Sequence, residues 1–227
     1  MNADALRITE PPTLVREQAF ERLRDAIITG HFKPGARLVE RELCEAMGIS
    51  RTSIREVLRR LESEKLIEVE PRRGPTVARV SKKQAAEIYE MRGMLEAMMV
   101  RGFTETASDQ DIAALRQIYA DFLAKARGKD VREIIATINR FNQYMLDVVD
   151  NELLNDFLHK LMARISLLRV VSMSKPGRLE KSIDETAAIM DAIERRDVAA
   201  AVKCVTEMVH NAGEAALEQF DLHGGEG

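Results

Sequence analysis

The sequence predicts a mostly α-helical chain in two domains: three short helices with a two-stranded hairpin, then a larger domain built of helices alone. Three observations carry this. Apolar residues recur every three to four positions through most of the chain, which is the helical period. Strict alternation occurs once, in "LIEVEPRRGPTVARV", and reads as a hairpin with a Gly-containing turn. Aromatic residues make up only 4% and Trp is absent. The core is therefore left to Leu, Ile, Val, Ala and Met, which suits helix packing more than a β-sandwich.

The elements follow in order. Met1 to Thr13 is polar with a Pro11-Pro12 pair and reads as a loose arm. Leu14 to Gly30 is a first helix, with Phe20, Leu23, Ile27 and Ile28 at helical spacing and Gly30 as a C-cap. "HFKPGARL" is a Pro-Gly turn leading into an extended stretch. Val39 to Met47 is a short second helix stopped by Gly48, and Ser50 to Lys65 is a third with Ser50 as N-cap. The hairpin closes the first domain, residues 1–80. From Ser81 onward no further strand is expected. Ser81–Thr106, Asp109–Arg127, Val131–Asp150, Glu152–Met173, Leu179–Arg195 and Val198–Phe220 predict a bundle of six or seven helices over residues 81–227. The tail "LHGGEG" reads as disordered.

Composition removes several classes. No apolar run approaches the roughly 20 residues that span a bilayer, and the start lacks the apolar region of a secretory signal. Cys44 and Cys204 lie far apart with no CxxC partner, as expected of reduced thiols in a cytoplasmic protein. The net charge is -3, yet residues 1–80 hold 15 Lys and Arg against 13 Asp and Glu, and residues 81–227 hold 19 against 24. There is no HExxH, no P-loop and no G-x-G-x-x-G after a strand, so catalysis is not expected.

The third helix carries the first functional expectation. Ile54, Val57, Leu58 and Leu61 form one apolar stripe, and Arg51, Arg55 and Arg59 form a row on another face. Thr52 and Ser53 lie in the first turn, where a helix N-terminus suits phosphate. A short helix, a Gly turn and this helix match helix-turn-helix geometry, and the hairpin would be its wing. The plainer alternative is a solvated arginine face paired with Glu56 and Glu62.

The stretch "IITGHFKPGARLVERELCEAMGISRTSIREVLRRLESEKLIEVEPRRGPTV" closely resembles the GntR family of bacterial transcription regulators. The resemblance covers Leu14 to about Val80. Lys65 replaces the usual Gly before Leu66, and "PRRG" replaces the common wing sequence. It implies operator DNA contacts from Arg41, Ser50, Arg51, Thr52, Ser53 and Arg55, and from Arg72, Arg73 and Gly74 in the wing. Arg41 would touch the backbone, and Arg51 and Arg55 would read bases.

The second domain resembles the FCD-type effector domain of the FadR-like branch, through "IYEMRGMLEAMMV", "FNQYMLDVVDNELL" and "TAAIMDAIERRDVAAAVKCVTEM". Many members of that branch hold a divalent metal with one Asp and three His. Laid on this sequence, the pattern puts Ile138 in the Asp slot, Asn142 and Thr186 in two His slots and Met208 in the third. None is a good zinc ligand, so no metal cofactor is expected. An alternative site through His159 or His210 stays open, although His210 lies about 200° around the helix from the slot.

The resemblance makes Arg92 the anchor for a carboxylate, with Asn139, Asn142 and Thr186 as polar partners and Ile138 and Met208 as apolar wall. The alternative for Arg92 is a surface pair with Glu96. Met91, Met94, Met98, Met99, Met145 and Met162 could line the pocket or fill core. Together these readings imply a ligand-responsive regulator, a repressor binding double-stranded operator DNA as a homodimer and released by a small organic acid. The rivals are a metal-dependent sensor of the same family and a helical adaptor that no longer binds DNA.

Overall fold

The computed structural model describes residues 12–70, 73–128 and 130–223. It divides into two compact units, residues 1–79 and 80–227. Among the described residues there are nine helices and one two-stranded antiparallel sheet. The fold is mostly α, with a winged helix-turn-helix first and a helical bundle second. No helix is long and apolar enough to cross a membrane among the described residues.

The first unit comprises α1 (Pro12–Ile28), α2 (Glu40–Met47), α3 (Arg51–Ser63), β1 (Ile67–Glu70) and β2 (Gly74–Val77). Helix α1 begins at Pro12, inside the stretch expected to be a loose arm. A first-turn proline loses nothing there, because its missing N–H would have no helical acceptor. Gly48 ends α2 with φ 69°, its N–H donating to the Cys44 carbonyl. Ser50 caps α3 by accepting from the Ser53 N–H at 3.2 Å. The stripe Ile54, Val57, Leu58 and Leu61 is buried, against a core that includes Phe20, Leu23, Ile27 and Leu66. Each such fully buried side chain contributes roughly 1.5–3 kcal/mol.

Lys65 leaves α3 with φ 59°, which accounts for glycine being usual at this position: a Cβ is unwelcome in the left-handed region. The strands pair Ile67 with Val77 and Glu70 with Gly74. Arg37 bridges to Thr76, so the extended stretch after the Pro-Gly turn braces the hairpin from its other side.

The second unit holds α4 (Lys82–Thr106), α5 (Asp109–Gly128), α6 (Val131–Val149), α7 (Glu152–Met173), α8 (Arg178–Glu194) and α9 (Val198–His223). Ser81 starts α4 with a capping box: Gln84 N–H donates to Ser81 Oγ, and Ser81 N–H donates to the Gln84 side chain. Helices α4 and α9 lie side by side. Gly213 permits this closeness, since a Cβ there would sit 3.1 Å from the Tyr89 ring. Phe103, Leu115, Met145, Leu158, Ile165, Ile193 and Val205 belong to one continuous core. Residues 224–227 of the tail lie outside the described residues; its first two, Leu222 and His223, extend α9.

Candidate functional site

In the first unit the arginine row stands free of the core. Arg41, Arg51, Thr52, Arg55 and Arg59 are exposed, and Ser53 is half-buried. The Ser50 and Ser53 hydroxyls lie 3.0 Å apart at the start of α3. The alternative pairing does not hold for Glu56, whose partner is Arg16 on α1. Arg60, on the opposite side, stacks 3.6 Å over the Phe20 ring and pairs with Glu17 at 2.5 Å. One arginine therefore fastens α3 to α1 while three others face outward. Arg55 is not wholly unengaged: its Nε donates to both Glu40 oxygens, at 3.2 and 3.0 Å. That contact uses one edge of the fork, and a guanidinium has five N–H donors. In the wing, Arg73 is exposed and Gly74 has φ 78° with open space around it. Arg72 lies outside the described residues.

In the second unit, polar side chains gather where a helical bundle would otherwise be apolar. Arg92, Glu96, Asn142, Arg169, Ser172, Arg178, Ser182 and Thr186 share a cavity with Ile138, Phe141, Met145, Val205 and Met208. Its free volume is about 50 Å³, room for a few water molecules at roughly 10–15 Å³ each. Arg92 donates to Glu96, Nε to Oε1 at 2.8 Å and Nη2 to Oε2 at 3.3 Å. Arg169 reaches the same carboxylate at 3.3 Å, and its Nη1 donates to Asn139 Oδ1 at 2.8 Å. Arg178 lies 2.8 Å from Glu185, whose other oxygen accepts from Asn211 at 2.8 Å.

The electrostatics follow from this crowding. Burial alone would raise the Glu96 carboxyl, but the Arg92 and Arg169 guanidiniums outweigh it and hold it below the usual glutamate value. Burial, and then the like charge of Arg92, push Arg169 down to about 10. It remains a cation at neutral pH. Burial opposes the charge on Arg92 too, and the adjacent Glu96 more than restores it.

The four residues that the family resemblance sets in the metal-ligand slots, Ile138, Asn142, Thr186 and Met208, all line this cavity. They do not fit a divalent cation. Ile138 has no donor atom, and the Thr186 hydroxyl donates to the Ser182 carbonyl at 2.7 Å. The Asn142 amide lies 3.5 Å from Glu96. Three guanidiniums in the same wall repel a cation as well. His159 and His210 are both exposed and outside the cavity, and His210 faces Glu214 at 3.5 Å on its own helix. No cluster of three metal-ligating side chains occurs among the described residues.

The expected residues thus divide. Arg92, Asn142, Thr186, Ile138 and Met208 come together. Asn139 stands behind the wall, holding Arg169 and accompanied by Ser166 at 3.2 Å. The Arg92–Glu96 pair exists, but it is buried, at 3% and 2% exposure, rather than on the surface. Met99 and Met145 line the cavity, whereas Met91, Met94 and Met98 are exposed on α4. Arg169, Arg178 and Glu185 were not anticipated. A signal existed for Arg169, a single charge inside "ISLLRVV", because such a residue is rarely buried without a partner. Arg178 follows Pro176-Gly177 and looks like an ordinary helix start.

A winged helix-turn-helix joined in one chain to an all-helical domain with an arginine-lined cavity defines a class of transcription regulators. Residues 15–77 match the family described as bacterial regulatory proteins, gntR family, and residues 87–211 match the FCD domain. The chain belongs to the GntR family and carries an FCD domain; it is a transcription regulator and not an enzyme. It is 29% identical over 202 residues to the HTH-type transcriptional regulator McbR of Escherichia coli K12, covering 88% of this chain and 91% of McbR. It is 28% identical over 193 residues to the regulator YdhC of Bacillus subtilis 168, covering 85% and 86%. Identity to the transcriptional repressor RspR of E. coli K12 is 23% over 208 residues, covering 92% and 91%. The solved structure of E. coli McbR/YncC superposes with a TM-score of 0.79 at 25% identity, over 92% of this chain and 98% of that one.

Proposed function

We propose that this regulator binds operator DNA as a homodimer through the head, residues 1–80, and represses until a small organic acid enters the helical domain, residues 81–227. The observation that carries the DNA reading is the exposed row Arg51, Arg55 and Arg59 beside the capped N-terminus of a helix whose other face is buried. A helix so presented enters a major groove end-on, with Arg51 and Arg55 reading base edges and Ser50, Thr52 and Ser53 holding phosphate. Arg41 would grip the backbone, and Arg72, Arg73 and Gly74 would follow the wing into the adjacent minor groove. A dimer is supported by α4, where Met91, Met94 and Met98 are between 46% and 56% exposed and lie close to one face. Two heads would then take two half-sites. Repression follows the name of the relative RspR.

The arginine-lined cavity supports an anionic effector, and the residues in the metal slots support one bound without metal. The test is a gel shift with DNA flanking the chain's own gene. Arg51→Ala with Arg55→Ala should weaken sequence-specific binding at least tenfold, at about 1–3 kcal/mol for each bidentate contact, and leave the unfolding midpoint in place. Unchanged specific affinity would refute the assignment of α3.

A further inference from the structure

The cavity wall is out of charge balance. Arg92, Arg169 and Arg178 line it, and the carboxylates against them are two, Glu96 and Glu185. One positive charge is left over in a buried place, where an uncompensated charge is costly. The hydrogen bonding locates the surplus. Arg169 spends Nη1 on Asn139 and Nη2 on Glu96. Arg92 Nη1, and Arg178 Nε and Nη1, are buried and have no hydrogen-bond acceptor among the described residues. Both side chains are more than nine-tenths buried, at 3% and 6% exposure. Buried donors left without acceptors are rare in folded chains and call for an explanation.

Apart from the neutral polar side chains of Asn142, Ser172, Ser182 and Thr186, the rest of the wall is apolar. Phe122, Ile138, Met145, Ile189, Val205 and Met208 supply most of it. A second anionic group on a ligand would meet these side chains, one neutral amide and three hydroxyls, with no further unengaged cation to pair with it, since Arg169 is held by Asn139 and Glu96. A neutral ligand would leave the guanidinium surplus standing. The free volume of about 50 Å³ limits the occupant to a small molecule, and unbranched Met145 and Met208 can shift to admit its body.

We propose that the cavity binds a short monocarboxylate with an apolar body, its carboxylate held between Arg92 and Arg178. This rests on the reading of the cavity as the effector site and adds the ligand's charge, its size and the second arginine. Arg92 and Arg178 present forks that match a carboxylate. Ile138 and Met208, which line the cavity, become the floor for the hydrocarbon part.

Isothermal titration calorimetry on the full chain tests it, with butanoate, 3-methylbutanoate and hexanoate as probes, and succinate and butanamide as controls. At least one monocarboxylate should bind, with succinate and butanamide at least tenfold weaker. Arg178→Met should lower that affinity at least tenfold. Arg178→Lys keeps a positive charge facing Glu185; it should retain the far-ultraviolet dichroism of the parent and still lower the affinity at least fivefold because the fork is lost. Succinate or butanamide binding as well as butanoate, Arg178→Lys binding as the parent does, or no binding by any of the three acids would each overturn the proposal. A parallel gel shift separates the two readings. Acids that bind without changing operator affinity would sink the effector reading and leave the ligand class standing. Another compound that changes operator affinity while the acids fail to bind would do the reverse.

Discussion

At the scale of single residues, Glu96 is the pivot of the helical domain. It accepts from Arg92 and Arg169 and is 2% exposed. Glu96→Gln would leave two guanidiniums facing one another without their shared counter-charge. Removing one partner of a buried ion group costs about 3–5 kcal/mol, so the urea midpoint should fall by a corresponding amount. The pH dependence has a definite sign. The folded carboxyl is held below its ordinary value, so its contribution is complete above the unfolded value of about 4.3. It is lost as the pH falls through the lower folded value. Thermal unfolding of the parent should weaken steeply below about pH 4, and Glu96→Gln should flatten that slope. The partner expected for Arg92 was visible in the i, i+4 spacing, but its burial was not. Periodicity places both residues on one face of a helix, and only the packing of α6 and α7 against that face decides whether water reaches it.

At the scale of elements, sequence patterning was most informative where a helix has one buried stripe and a clear cap. Helix α3 shows this best: Ser50 caps it, the stripe is buried and the arginine row is exposed. It was least informative at helix ends without side-chain signals. Helix α1 starts at Pro12 within polar sequence, and α9 runs to His223 past the last regular apolar residue. The end of α3 offers a prediction. Lys65 sits at φ 59° where a Cβ is disfavoured, and no special contact is needed to explain the strain. Lys65→Gly should stabilise the head by about 0.5–1 kcal/mol, read as a rise in its unfolding midpoint. Substitution of Gly48 by Ala, at φ 69°, should act in the opposite direction for the same reason.

At the scale of the whole molecule, a modestly basic head shares a chain with an acidic helical domain. The net charge of -3 therefore conceals an exposed arginine row, and with the row in its proposed place on DNA, operator affinity should fall steeply with salt as phosphate contacts release counterions. The two-domain plan was legible because one alternating segment interrupts an otherwise helical sequence. The cavity was half legible. Five of the six expected residues line it, since family spacing carries them to one place. Arg169 and Arg178 come from α7 and the start of α8, and their convergence depends on how those helices pack. The central claim is that occupancy of this cavity changes what the head does to DNA, a coupling between two sites. Its most direct test is fluorescence anisotropy of operator DNA titrated with the full chain, with and without saturating 3-methylbutanoate. A shift in dissociation constant of about 5–150-fold, as expected for a coupling of about 1–3 kcal/mol, and absent in Arg178→Met, is the predicted result. The same affinity with calorimetrically saturated protein would contradict it.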